Sequence, residues 1–124
     1  MDQVQFLKKD ADFKRVYRKR KTFGNRNFTL YVRRNGMDHS RLGFSISKKV
    51  GHAVIRNLIK RRLKALTHEA QSKFLPGYDY VLVVKNNVGD LSFQKTKSAY
   101  HHIFRQAKAF KVAEAKKKQS PNKG

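Results

Sequence analysis

Residues 48–64 read KKVGHAVIRNLIKRRLK, and the period of this stretch indicates a helix. At about 100° per residue, its apolar side chains fall on one stripe that continues past the end of the stretch. The members of the stripe are Ile55, Ile59, Leu63, Leu66 and Ala70. Such a stripe is typical of a helix that packs one face against a core. We therefore predict that the helix lies on the core of a globular domain.

The other side of the predicted helix is basic. It carries Arg56, Asn57, Lys60, Arg61 and Lys64, and it is preceded by Lys48 and Lys49. A solvated charged face is the usual interpretation of such residues, but solvated faces normally include acids that pair with the bases four residues away. No acid occurs from Arg56 to Lys64, and like charges at this spacing destabilise a helix. Because an anionic partner would remove that cost, we predict that the basic face binds a polyanion.

The composition indicates one small domain with a polyanionic partner. The chain has 124 residues, and its 30 Lys and Arg against 8 acids give a net charge of +22. Nucleic acid is the first candidate for the partner and a membrane surface is the second. No apolar run approaches the ~20 residues of a spanning helix, and no signal peptide opens the sequence. The absence of cysteine excludes disulfides and thiolate sites and is compatible with a reducing cytoplasm, where we expect the protein to act. We predict no obligate protein partner.

Alternating and amphipathic patterns predict the remaining elements. Strands are predicted at residues 27–33, 42–46 and 80–84, the last of them apolar on both faces, as in the middle of a sheet. One helix is predicted to follow Asp10 or Asp12 as its N-cap, and another to run from Ser92 to about Phe110. This order predicts an α/β (α+β) two-layer sandwich over residues 1–112, followed by a basic disordered tail over residues 113–124.

Aromatic side chains near the first helix and first strand form a second candidate site. Phe13 and Tyr17 share one side of the helix, and Tyr31 lies on the strand face opposite Phe28, Leu30 and Val32. Core packing is the ordinary interpretation of such rings. Tyr31, however, shares its strand face with Thr29 and Arg33, a mixture typical of a wet surface. If the helix lies at the edge of this face, the rings and the small Ser45 and Ser47 form a groove suited to single-stranded nucleic acid.

The sequence offers little support for catalysis by the protein itself. Metal-assisted cleavage of a phosphodiester needs several converging carboxylates, whereas the acids here are isolated apart from Asp10 and Asp12. His101 and His102 are adjacent and diverge on a helix, and no zinc-binding spacing is present. Groups distant in sequence could still meet in space. We predict neither a catalytic residue nor a metal site.

The residues of these two candidate surfaces resemble the sequence pattern of the bacterial ribonuclease P protein subunit. On the basic helix, the resemblance rests on Lys48, Lys49, Gly51, Ala53, Arg56, Asn57, Ile59, Lys60 and Arg61. Near the aromatic groove it rests on Asp12, Phe13, Tyr17, Asn25, Arg26, Phe28 and Tyr31. It extends from about Phe6 to Phe110. Leu58 departs from the family pattern, in which this position is most often basic, and on the helix it falls between the core stripe and the basic face.

The resemblance implies a fold and a function. The implied fold has a mixed four-stranded sheet with a left-handed βαβ crossover, although the general rule for such crossovers is right-handed. The implied function is to assist a catalytic RNA in removing the 5′ leader from precursor tRNA, with magnesium held by the RNA. The basic helix with Lys48 and Lys49 would then bind the RNA subunit, and the aromatic groove would bind the leader. An architectural RNA-binding protein fits the composition equally well, and a DNA-binding repressor that reads bases through residues 53–66 is a weaker alternative.

Overall fold

A computed structural model describes residues 4–18 and 21–111, which contain three helices and five strands. The strands are β1 (Val4–Phe6), β2 (Lys21–Gly24), β3 (Phe28–Arg34), β4 (Ser40–Ser45) and β5 (Tyr78–Val84). The helices are α1 (Asp10–Arg18), α2 (Ala53–Glu69) and α3 (Phe93–Gln106). The predicted order of helices and strands is confirmed. The predicted tail over residues 113–124 lies outside the described residues.

The strands form one mixed sheet in the order β1-β4-β5-β3-β2. β4 lies between β1 and β5 and is parallel to both, while β3 is antiparallel to β5 and to β2. The parallel pair β4 and β5 is connected through α2, as the predicted βαβ unit requires. The expected number of four strands is wrong, because β1 and β2 add two short edge strands to the three that alternation predicts. The left-handed sense of the crossover stays a prediction.

One face of the sheet packs against α2 and α3 and contains the main core. Its strand residues alternate along β3, β4 and β5, and they meet the apolar stripe of α2 and the inner side of α3. The buried members of the predicted stripe are Ile59, Leu63, Leu66 and Ala70, with Ile55 packed beside them. A hydrogen bond of 2.8 Å between Thr67 Oγ1 and Tyr100 Oη joins the two helices inside this core. The core face predicted for the basic helix is therefore confirmed.

The opposite face of the sheet carries α1. Val16 of α1 is fully buried, and it forms a small second core with Leu7 and Val81. Phe13, Tyr17, Tyr31 and Val83 pack around these residues and remain partly exposed. Because α1 adds a partial layer on this face, the sheet has helices on both sides. β5 is buried on both faces, as its sequence predicts.

The helix ends agree in part with the sequence. Ser92 caps α3 by accepting a hydrogen bond of 3.2 Å from the Lys95 N–H, as expected. α3 ends at Gln106 rather than near Phe110, because Lys108 adopts a left-handed backbone conformation with φ of 57°. The predicted capping of α1 by Asp10 or Asp12 is wrong, since the Lys9 carbonyl accepts the first backbone bonds and both acids lie within the first turn.

Candidate nucleic-acid interface

The basic face of α2 is exposed to solvent. Asn57, Lys60, Arg61 and Lys64 are exposed along the helix, and Lys48 and Lys49 are exposed in the 3₁₀ turn that precedes it. Among the residues that the structure describes, none of these five lysines and arginines forms an ion pair with an acid. Their charges are therefore offset only by solvent and counterions. We call these six residues, together with Arg56, the α2 surface.

Arg56 differs from the other members of the α2 surface. It is half-buried, and its Nε donates a hydrogen bond of 3.1 Å to the Gly51 carbonyl. The bond ties the first turns of α2 to the loop that leads into the helix. Arg62 also has an internal partner, because its Nη1 donates to the Leu91 carbonyl at 3.1 Å. Arg56 and Arg62 thus have internal partners, whereas Lys60, Arg61 and Lys64 are exposed on the same helix.

Leu58 lies at the edge of the α2 surface. The side chain is half-buried, whereas Ile59 beside it is 3% exposed and Asn57 is exposed. This agrees with the position expected from the helix period, between the core stripe and the basic face. A longer polar side chain at residue 58 could therefore reach solvent.

The rings predicted to line the aromatic groove are only partly buried. Tyr17 of α1 meets Tyr31 of β3 edge to face, with ring centroids 5.1 Å apart and planes at 88°. Phe13 packs one turn earlier on the same side of α1. The rings pack against the small core of Leu7, Val16 and Val81 and keep part of their surface in solvent, and their role as a groove stays a prediction. Base stacking needs such an exposed ring surface on a fixed support.

The bare face of β4 is occupied in part by Phe13. A Cβ added to Gly43 would lie 2.7 Å from Phe13 Cε2, so only glycine lets the ring sit this close to the strand. Ser45 follows on the same face and is half-buried. Ser47 lies beyond the end of β4, is exposed, and accepts a backbone bond of 3.1 Å from Val50 in the turn that carries Lys48 and Lys49. Ser45 therefore belongs to the aromatic side, while Ser47 adjoins the α2 surface.

A groove of about 580 Å³ connects the aromatic side with the α2 surface. It is lined by Phe6, Leu7, Lys8, Phe13, Leu42, Gly43, Phe44, Lys60 and Lys64. Lys64 Nζ lies 5.5 Å from the centre of the Phe6 ring, which itself lies 5.8 Å from the Phe44 ring. Phe6 and Lys8 were missed by sequence reasoning, because β1 is too short to show alternation. Their place in the groove depends on the pairing of β1 with β4.

A polar cluster lies on the α1 side of the sheet and was also missed. The Asp79 carboxylate has no exposed surface and accepts hydrogen bonds from Arg41 at 2.9 and 2.7 Å, from Asn35 at 2.8 Å and from Arg33 at 3.3 Å. Arg41 also faces the Asp12 carboxylate of α1, with 3.6 Å between Nη1 and Oδ2. Burial alone would raise the pKa of Asp79, but the hydrogen bonds from Arg41 and Asn35 outweigh it and hold the pKa below its usual value. The carboxylate is therefore ionised, and it supports the fold.

The described residues do not form a metal centre. Nowhere within residues 4–18 and 21–111 do three or more histidine or acidic side chains come together in a group that could hold a metal ion. None of the helices in this part of the chain has both the length and the apolar character needed to cross a bilayer.

Comparisons with known proteins give a consistent result. A family model described as Ribonuclease P matches residues 1–108. A relative from Shouchella clausii named ribonuclease P protein component is 42% identical over 109 residues, which cover 87% of this chain and 89% of the relative. A relative of the same name from Listeria monocytogenes is 35% identical over 106 residues, which cover 85% of this chain and 89% of the relative.

Solved structures agree with the relatives. The RNase P protein of Staphylococcus aureus superposes with a TM-score of 0.81 at 34% identity, covering 86% of this chain and 97% of that one. The RNase P protein of Thermotoga maritima superposes with a TM-score of 0.75 at 24% identity, covering 82% of this chain and 96% of that one. At that identity, the second likeness concerns the fold alone.

Proposed function

The chain belongs to the ribonuclease P protein family, and from this premise we propose that it is the protein subunit of a ribonuclease P that removes the 5′ leader from precursor tRNA. In this proposal the α2 surface binds the RNA subunit and the aromatic groove binds the single-stranded leader. Cleavage belongs to the RNA and its magnesium ions, so the protein is a non-catalytic subunit of an endoribonuclease. Its place of action is the cytoplasm.

The observation that carries the proposal is the continuity of two different surfaces. The α2 surface offers exposed cations on a rigid helix, which suits a phosphate backbone. The aromatic side offers Phe13, Tyr17 and Tyr31 on a fixed support, which suits unpaired bases. Lys60 and Lys64 line the groove that connects the two. In this proposal the RNA subunit and the leader of the precursor tRNA are therefore held side by side.

The physical role of such a protein is electrostatic and positional. Two polyanions, the RNA subunit and the precursor tRNA, repel each other, and a chain of net charge +22 reduces that repulsion. Binding the leader on a fixed platform also aligns the scissile bond with the RNA active site, because an oriented substrate needs less further ordering to react. The electrostatic effect is largest when few magnesium ions are available to screen the phosphates.

Reconstitution with a bacterial ribonuclease P RNA tests the proposal. At a magnesium concentration too low for the RNA to act alone, addition of the protein should produce mature tRNA and free 5′ leader. The protein without the RNA should cleave nothing. An architectural RNA-binding protein would bind RNA without stimulating cleavage, and that result would remove the proposal. Cleavage by the protein alone would contradict the assignment of the chemistry to the RNA.

A further inference from the structure

We propose that Asp12 is a positioning residue for the leader, because its carboxylate fixes α1, and with it the rings of Phe13 and Tyr17, at one place on the sheet. The inference rests on the proposed leader-binding role of the aromatic groove. The inference assigns a positioning role to Asp12, an acid that lies beside a surface proposed to bind a polyanion.

The carboxylate of Asp12 lies between two guanidinium groups. Oδ1 accepts a hydrogen bond of 2.9 Å from Arg15, three residues along α1, and Oδ2 lies 3.6 Å from Nη1 of Arg41 on β4. The Asp12 side chain is 14% exposed and that of Arg41 is 17% exposed, whereas that of Arg15 is 55% exposed. The contact with Arg15 is therefore screened by solvent and contributes little. The contact with Arg41 is the one that ties the helix to the sheet.

Arg41, the partner of Asp12 in this ion pair, has a fixed position. Its Nε and Nη2 are held by the buried Asp79 carboxylate, which leaves Nη1 directed at Asp12. Asp12 therefore pairs with a cation whose place is already determined by the sheet. If the Asp12 charge were lost, Arg41 would keep both bonds to Asp79. The sheet would remain intact, and the change would act on α1.

Phe13, the next residue of α1, makes a second contact with β4. Phe13 sits against Gly43, which lies two residues after Arg41 and on the same face of β4. Two consecutive residues of the helix thus meet two neighbouring positions on one side of one strand. The ion pair and the ring contact together fix both the position of α1 along β4 and its rotation. Tyr17, one turn after Phe13, then meets the Tyr31 ring at 5.1 Å.

If Asp12 acted only through its negative charge, its removal would have the opposite effect on RNA binding to the one expected for a positioning residue. Removal of an acid next to an RNA-binding groove should strengthen RNA binding if only the charge matters. A positioning role predicts weaker binding, because the rings would no longer be held at the spacing that the leader bases need. The sign of the effect therefore separates the two roles.

The test uses the variant D12N with the ribonuclease P RNA, and compares the affinity for precursor tRNA with that for mature tRNA. We expect leader-bearing precursor to bind about 3- to 10-fold more weakly, which is part of the about 5- to 150-fold effect of one lost stacking contact. Mature tRNA and the RNA subunit should bind as before. The matched control is D38N, which removes one acid whose side chain is 99% exposed and far from α1 in sequence, and it should change neither affinity.

Several outcomes would overturn the inference. Equal or tighter binding of the precursor by D12N would show that Asp12 acts only through its charge, and equal weakening for precursor and mature tRNA would show a general loss of structure. If D12N does not fold, D12E decides the question: it keeps the charge but moves the carboxylate, so native affinity for the precursor would overturn the inference. A wild-type protein without any preference for the leader would instead remove the proposed function on which the inference rests.

Discussion

The guanidinium of Arg41 meets the carboxylate of Asp79 at two points, with Nε 2.9 Å from Oδ1 and Nη2 2.7 Å from Oδ2. The two residues lie on the adjacent parallel strands β4 and β5 and are paired in register. Asn35 and Arg33 donate further hydrogen bonds to the same carboxylate. A buried charge costs stability unless it is paired and hydrogen-bonded, and here the donors on three sides offset that cost. The pair therefore stabilises the fold only while both partners are charged.

Acid should weaken the fold through Asp79, and D79N should remove this part of the pH dependence. Because the folded-state pKa of Asp79 lies below the ordinary value of 3.8, its contribution is present above the unfolded-state pKa and is lost as the pH falls through the folded-state pKa. At pH 7, D79N should lose about 3 to 5 kcal/mol of stability, since Arg41 and Arg33 lose a buried partner. Urea titrations from pH 7 down to about pH 2 measure the difference.

The difference between wild type and D79N should shrink at the acid end of that series. A difference that stays the same from neutral to acid pH would mean that the pKa of Asp79 is the same in the folded and unfolded states, which contradicts the lowered folded-state pKa. The control D38N removes the exposed Asp38 carboxylate, which pairs only with the neighbouring His39 among the described residues. It should have a much smaller effect at every pH, because exposed ion pairs contribute little.

The exposed cations of α2 should contribute to RNA binding through counterion release. The double variant K60A/R61A should weaken binding to ribonuclease P RNA and reduce the slope of log affinity against log salt by about 1.4 to 1.8, at about 0.7 to 0.9 per lost phosphate contact. Both side chains are exposed, so circular dichroism and thermal unfolding should remain native. Filter binding at several salt concentrations measures the slope.

A matched loss of charge on another helix provides the control. K95A/R105A removes two exposed cations from α3 and should leave the slope nearly unchanged. If both double variants reduce the slope equally, the protein binds RNA through its overall charge and the α2 surface has no special role.

The sequence predicted the elements whose patterns are long enough to be read locally. The stripe from Ile55 to Ala70 covers more than four turns of α2 and is confirmed by the burial of its members. The alternation along β3 and the two-sided burial of β5 are confirmed for the same reason. β1 has three residues and β2 has four, which is too few for a period to appear. They become strands only through their pairing with β4 and β3.

The candidate site was predictable to a similar extent. The charged face of α2 follows from helical spacing alone. The groove that connects it with the aromatic side depends on Phe6 and Lys8, whose position is set by the parallel pairing of β1 with β4. The Asp79 cluster joins residues up to 46 positions apart, so no local pattern could indicate it. Tyr31 was ambiguous in the sequence because it is both a packing residue and a partly exposed ring.

A basic residue introduced at position 58 should strengthen binding to the RNA subunit. Leu58 is half-buried at the edge of the α2 surface, so the longer side chain of L58R can reach solvent and add one phosphate contact. We expect a gain of up to about 1 kcal/mol and a steeper salt slope by about 0.7 to 0.9. The matched control L58M keeps the volume without the charge and should leave the slope unchanged. A lower melting temperature of L58R without tighter binding would identify Leu58 as a packing residue.

The aromatic groove should matter only for substrates that carry a leader. Y17A removes the ring that meets Tyr31 at 5.1 Å, and at about 1 to 3 kcal/mol per stacked base it should weaken binding of precursor tRNA about 5- to 150-fold. Because Tyr17 also packs against the small core of Leu7, Val16 and Val81, Y17A would also remove packing. The variant Y17L separates the two causes, because it keeps apolar volume but has no ring to stack on. Y17L should melt close to the wild type and still bind the precursor weakly.

Mature tRNA and the RNA subunit should bind both variants normally, because the α2 surface is unchanged. Shortening the leader to one nucleotide should abolish the difference between variant and wild type, whereas equal losses for precursor and mature tRNA would make Tyr17 a general RNA contact and leave the leader without its platform.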